Sequence, residues 1–177
     1  MWLVKKLWPE SATKLTGYAA HLHEVSLFEE IREIPGALQD LAQHMEQRTV
    51  KPGEDIITEG RSGSEMFLLT EGEASVYKST SEGEPYKVAI LLGEKHAFFG
   101  EGGLLDSDAR SATIKADTLC HCLVLNRKAF EVFGRTHPEW ALPISLRIAR
   151  TVLARLRKTN GDLTLLYNAL VAEIRGA

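Results

Sequence analysis

The sequence predicts an α+β fold, an antiparallel β-sandwich or barrel with helices on either side of it. Three observations lead there. Between residues 47 and 125, short strand-like runs are punctuated by glycine about every eight to twelve residues, the pattern of sandwiches and barrels. Before and after that region the apolar residues recur at helical spacing instead. Finally, 177 residues with 44% hydrophobic content are enough for one compact core and too few for two full domains.

The chain opens with Trp2, Leu7 and Trp8 beside Lys5 and Lys6. Such a segment suits a membrane surface or a partner, but a tail packed on its own domain or on a second copy is the preferred expectation. Its charges follow the apolar residues and no long apolar stretch succeeds them, so it does not read as a secretory signal. Residues 11–42 are helix-rich. Leu22, Val25, Leu27, Phe28 and Ile31 recur near helical spacing, and Leu38, Leu41, Ala42 and Met45 repeat it after the Pro35-Gly36 break.

Strands are expected at 47–50, 55–58, 66–70, 73–78, 86–92, 97–99, 110–116 and 119–125, with 79–85 as an exposed hairpin loop. Asn126 can cap a helix over 127–135. Pro138 suits the start of the next one, over 138–158, with Pro143 bending or delaying its first turns. Ile144, Ile148, Val152 (or Thr151) and Arg155 run down one side of it, and Leu146, Leu153 and Leu156 widen the apolar face. Thr159-Asn160-Gly161 breaks the pattern, and Leu163, Leu166, Leu170 and Ile174 suggest a separate last helix.

Composition narrows the function. A net charge of −3 and a pI near 6.1 argue against a general nucleic-acid binder, which carries a basic excess. The longest unbroken apolar run, 88–92, is far short of a membrane span. The two cysteines, Cys120 and Cys122, lie too close on one strand to staple the fold, so a cytoplasmic, reducing setting is expected. His121 between them points to the other face of the strand, so the trio does not close on a metal. His21 and His23 form an H-x-H pair, but in the helical lead-in, without a matching Glu-and-His set. No nucleophile elbow, P-loop lysine or paired carboxylates stand out, and no enzyme, metal or cofactor is expected.

One stretch remains, 98–114, read as FFGEGGLLDSDARSATI. Its glycines let a ligand approach the main chain. A short helical turn opening near Glu101 presents unpaired N–H groups that favour an anion. About nine residues later comes Arg110, a guanidinium suited to phosphate. A carboxylate beside those amides cannot serve the phosphate and makes sense as an acceptor for sugar hydroxyls. The plain alternative, a glycine turn with a surface arginine, is the weaker account of the joint placement.

Phe99, Gly100, Glu101, Gly103 and Leu104, then Arg110, Ser111 and Ala112, resemble the phosphate-binding cassette of cyclic nucleotide-binding domains, the family of catabolite activators, kinase regulatory subunits and nucleotide-gated channels. Upstream, 50–57, Glu59-Gly60, Gly63, 65–69 and Glu71-Gly72 look like that family's opening strands and glycine turns, so the resemblance covers about 22–158. It implies a jelly-roll, double-stranded-β-helix-like antiparallel barrel flanked by N-terminal helices and a long C-terminal helix. It also implies three parts: an N-terminal helical extension (1–21), the binding domain (22–158) and a C-terminal helix (159–177). Gly102 departs from the pattern, which has an aliphatic residue there; the change loosens the short helix and lowers the expected affinity.

By that resemblance the ligand is a 3′,5′-cyclic mononucleotide, cAMP ahead of cGMP. Arg110, the amides of Gly102, Gly103 and Ser111, and the Ser111 hydroxyl hold its phosphate. Glu101 accepts from the ribose 2′-OH, and Gly100 permits the tight approach. Some cGMP-selective relatives carry threonine at the Ser111 position; serine leaves that choice open. The base is expected to meet Val76 and Leu91 or Leu92 and the long helix near Arg150, Thr151 or Arg155. Repositioning of that helix signals to a protein partner the sequence does not name, and homodimerisation through the C-terminal helices is expected from their apolar faces. A catabolite-activator-like DNA-binding regulator is the rival, but residues 159–177 leave room for one helix, not a helix-turn-helix domain. An interaction protein with a decayed pocket is the other rival, opposed by the retained Glu101 and Arg110.

Overall fold

The computed structural model describes residues 10–106 and 109–176. The Trp2, Leu7 and Trp8 segment with Lys5 and Lys6 lies outside the described residues. Eight strands form two four-stranded antiparallel sheets. One has the order β1(Met45–Val50), β8(Cys120–Asn126), β3(Glu65–Glu71), β6(Phe98–Phe99). The other has β2(Asp55–Ile57), β7(Thr113–Ala116), β4(Glu73–Ser79), β5(Pro85–Leu92). Apart from the β4–β5 hairpin, consecutive strands fall in different sheets, so the barrel is closed by long-range pairings such as Val50↔Cys120 and Val76↔Ile114.

Strand β3 shows why two cores form. Its side chains alternate between faces, yet Met66, Phe67, Leu68 and Leu69 are all buried. Phe67 and Leu69 fill the barrel with Val50, Ile57, Phe99, Ile114, Cys120, Cys122 and Val124. Met66 and Leu68 point outward under the helices, meeting Leu22, Phe28, Ile31, Leu41, Phe133, Ile144 and Ile148. The lead-in that supplies this cover is α1(Glu10–Glu24), a short 3₁₀ turn (Ser26–Phe28) and α2(Ala37–Gln43). The Pro35-Gly36 break holds: Gly36 adopts φ 84° at the start of α2, a value that favours glycine.

At the other end, α4(Arg127–Thr136) leads into α5(Pro138–Gly176). As expected, Asn126 caps α4, its side-chain oxygen accepting from the Ala129 N–H at 2.9 Å. Ala141, Ile144 and Ile148 bury the first turns of α5 against α4 and the lead-in. Arg147 pairs with Glu29, and Arg150 with Glu30 at 3.1 Å.

Three expectations are corrected. The break at Thr159-Asn160-Gly161 is absent; α5 is one helix of 39 residues. A single glycine costs about 1 kcal/mol relative to alanine, too little to stop a helix between the good formers of 153–158 and 163–170. Pro143 does not delay it either, since near a helix start a proline removes only one interior hydrogen bond. Strand β7 begins at Thr113 rather than Arg110 because the Arg110 main chain pairs elsewhere: its N–H donates to the Arg61 carbonyl at 2.9 Å and its carbonyl accepts from Gly60 at 2.8 Å. Among the described residues, no helix is long and apolar enough to cross a membrane.

Asn126→Ala should lower unfolding stability by about 1 kcal/mol, read as a lower urea midpoint at unchanged slope. An unchanged midpoint would contradict the cap.

Candidate functional site

Strand β6 delivers the chain to the site. Phe99 pairs with Phe67 in the ladder, is buried, and stacks on the Phe67 ring at 5.5 Å between centroids. Gly100 then turns the main chain with φ 72°, and Glu101 leads into the short helix α3(Gly102–Leu105). Leu104 plugs α3 into the helical core. Arg127, the first residue of α4, donates from Nε (3.1 Å) and Nη2 (2.8 Å) to the Gly103 carbonyl. The cassette is therefore fastened to both the barrel and the helices.

Arg110 sits at the centre of it. Nη1 donates to the Gly100 carbonyl at 3.0 Å and Nη2 to the Glu65 carbonyl at 2.6 Å. Glycine makes room for this arrangement. A Cβ on Gly63 would run into the guanidinium, and one on Gly103 would lie 2.8 Å from Nη1. Burial lowers the Arg110 pKa, while the charges of Glu65 and Glu101 work against that shift. Glu65 is itself anchored by Arg48, Nη2 to Oε1 at 2.7 Å, and this hydrogen bond holds its carboxyl below the ordinary value of 4.5. The strand end that receives Arg110 is thus fixed from the far side.

Glu101 is 3% exposed, unusual for a carboxylate. One oxygen, Oε1, pairs with Nη1 of Arg155 from α5; the other, Oε2, is buried and has no hydrogen-bond partner among the described residues. A buried acceptor without a donor costs about 1–3 kcal/mol, so the site holds a ready place for an incoming hydroxyl or N–H.

Two adjoining cavities share Gly100, Arg110, Ser111 and Arg155. The first, about 480 Å³, lies between the cassette residues Glu101, Gly102 and Gly103 and the α5 residues Val152, Leu156 and Thr159. The second, about 330 Å³, is walled by barrel side chains including Ile57, Val76, Ala89, Leu91, Phe99 and Ala112, with Lys78 at its edge. Val76, Leu91 and Arg155 therefore come together with the cassette. Thr151 and Leu92 do not: Thr151 turns its hydroxyl to the Arg147 carbonyl, and neither lines either of these two cavities. Arg150 is engaged with Glu30. One expected donor is already used, since the Gly103 N–H donates to the Gly100 carbonyl at 2.9 Å.

The sequence missed Lys78, Ala89, Leu156 and Thr159 as lining residues. Period-two alternation from Val76 and Leu91 finds the first two, since Lys78 and Ala89 share their faces. Leu156 lies within the helix expected over 138–158, four residues after Val152 on the same face, and Thr159 follows only once α5 is known to be continuous. Elsewhere, Cys120 and Cys122 are buried in the barrel, burial pushing the Cys122 thiol up to about 12, while His121 faces outward to Thr49 Oγ1 at 3.1 Å.

A family model described as "Cyclic nucleotide-binding domain" matches residues 47–137, more than half of the chain. The chain belongs to this family. It is 31% identical over 118 residues to a cAMP-dependent protein kinase regulatory subunit of Mycosarcoma maydis, covering 64% of this chain and 22% of that protein. It is 35% identical over 123 residues to human cGMP-dependent protein kinase 2, covering 69% of this chain and 16% of the kinase. It thus spans less than a quarter of either relative. In fold it resembles the catabolite activator protein of Thermus thermophilus, with a TM-score of 0.67 and 24% identity, covering 77% of this chain and 62% of that one.

Arg155→Ala should destabilise the fold by about 1–3 kcal/mol, between the values for exposed and buried pairs because Arg155 is largely exposed. The loss should shrink when Glu101→Gln is added, as a double-mutant cycle will show; additive losses would mean no coupling. Because the folded-state pKa of Glu65 is lowered, its pair with Arg48 stabilises above the ordinary carboxylate value and is lost as pH falls through the lowered one. The stability difference between the wild type and Glu65→Gln should therefore be present at neutral pH and vanish in acid; a pH-independent difference would contradict this.

Proposed function

We propose that this domain is a receptor for a 3′,5′-cyclic mononucleotide, cAMP before cGMP, and that occupancy is passed to a protein partner through α5. What supports the proposal is the meeting, at one cavity, of a cation with fixed direction and an acid with a spare oxygen. Arg110 is held by two carbonyls and a sleeve of glycine, and Glu101 carries a buried, unpartnered Oε2. A cyclic phosphate fits against Arg110, Ser111 and the start of α3. The ribose 2′-OH then donates to Glu101. The base extends into the barrel-walled cavity, over Val76, Ala89 and Leu91.

The same cavity bears on the choice of base. Its polar side chains are Lys78, Arg110, Arg155 and Ser111, three cationic donors and one hydroxyl. Guanine brings N1–H and an amino group that need acceptors, and it would find one hydroxyl. Adenine brings fewer donors, which favours cAMP.

Coupling runs through Arg155. A ligand moves an equilibrium only by binding one arrangement better than another. The ribose would share Glu101 with Arg155, so occupancy would bear directly on the ion pair that joins α5 to the cassette. Through Leu104 and Arg127 the same segment also touches the helical core and α4.

Isothermal titration tests the assignment. Arg110→Ala should weaken cAMP binding by about 2–5 kcal/mol, upwards of roughly 30-fold, the usual loss for truncating one partner of a buried charged pair. Circular dichroism reports whether the variant keeps its fold. Equal affinity of a folded variant would refute the site, and tighter binding of cGMP than cAMP by the wild type would refute the base preference.

A further inference from the structure

The charged side chains around Arg110 are paired selectively. Burial lowers the Arg110 pKa, and two carboxylates oppose that shift, Glu65 more than Glu101. Each of the two is engaged by a different arginine, Glu101 by Arg155 and Glu65 by Arg48. Arg110 itself pairs with no acid among the described residues; it donates to the carbonyls of Gly100 and Glu65. Carbonyls direct a guanidinium without neutralising it, so its charge stays open to an anion. The grip of Arg48 on Glu65 is complete. Strand alternation puts Arg48 with Val50, and Glu65 with Phe67 and Leu69, on the barrel face. There Arg48 takes both carboxylate oxygens, Nη1 to Oε2 at 3.1 Å and Nη2 to Oε1 at 2.7 Å. Nη2 also reaches Glu46 at 3.0 Å, and the guanidinium lies 5.3 Å from the centre of the Phe67 ring. A fork closed on both oxygens is a geometry that arginine makes and lysine does not.

We propose that Arg48 is a positioning residue for the phosphate site: by holding both oxygens of Glu65, it keeps that carboxylate from turning onto Arg110 and filling the place of the phosphate. The proposal rests on Arg110 as the phosphate-binding group. Carboxylate and phosphate are rivals for such a group, since both accept from a guanidinium fork in the same way. Glu65 starts close. Its own carbonyl lies 2.6 Å from Nη2 of Arg110, so its carboxylate comes within reach by side-chain rotation, with no movement of β3. An acid tethered this closely competes at an effective concentration of roughly millimolar, and it has to be restrained rather than outnumbered. Half-burial of Arg110 sharpens the contest, because charges attract more strongly where water is excluded. Arg48 supplies the restraint from outside the ligand space. Neither Arg48 nor Glu65 lines either cavity beside Arg110, so the pair acts on the ligand only through the guanidinium.

Arg48→Met keeps an apolar stem over Phe67 and removes the fork; Arg48→Ala removes both. Circular dichroism identifies the variants that keep their fold. In a ligand-free crystal structure of either one, a Glu65 carboxylate oxygen should lie within hydrogen-bonding distance of the Arg110 guanidinium. In isothermal titration the folded variant should bind cAMP more weakly by about 5-fold or more, the lower end of the usual coupling between two sites. Adding Glu65→Gln removes the rival charge and should regain most of that loss, which a strand merely loosened by the first substitution would not do. A Glu65 carboxylate that stays away from Arg110, wild-type affinity in a folded Arg48 variant, or a loss undiminished by Glu65→Gln would each overturn the proposal. A wild type that binds no cyclic nucleotide would instead sink the receptor reading, and the ligand-free structure would still decide where Glu65 turns.

Discussion

The structure depends on how one guanidinium is held. Arg110 reaches back across the cassette to the carbonyls of Gly100 and Glu65. Those two bonds tie the loop before α3 to the start of β3. The position is tight enough that a methyl group on Gly63 or Gly103 would displace it. Fixed by main-chain oxygens, the charge is aimed before any ligand arrives, and pre-aimed charge is what lets a site hold phosphate without first reorganising.

Around that cation the chain builds in two directions. Inward, Phe99 on Phe67 locks the cassette to the barrel; outward, Leu104, Arg127 and the Glu101–Arg155 pair lock it to the helices. The contact between Glu101 and α5 is an ion pair between a fully buried carboxylate and a largely exposed arginine. α5 is thus joined to the cassette by a polar link, and under the proposed function a ligand hydroxyl would compete for it. The same helix then runs on past the cavity to Gly176.

Most of the fold was legible in the sequence because it rests on period and punctuation. The eight strands were found from alternation and glycine spacing, and Asn126 announced its cap. The cassette was legible because Gly100, Glu101 and Arg110 each have a separate chemical reason to be there. What escaped notice depended on tertiary balance. Thr159-Asn160-Gly161 looks like a stop when weighed alone, and it fails as one because strong formers on both sides carry the helix across. The turn of Arg110 out of its strand is dictated by the Gly60–Arg61 main chain, which no local pattern reveals. Thr151 and Arg155 lie four apart and so share a face, yet the hydroxyl folds back on its own helix while the longer side chain reaches Glu101.

A crystal structure of the chain with cAMP tests the central claim most directly. The account predicts the cyclic phosphate within hydrogen-bonding distance of Arg110 Nη1 or Nη2 and the ribose 2′-OH donating to Glu101. A nucleotide bound elsewhere, or Arg110 facing bulk solvent with no density beside Glu101, would contradict it.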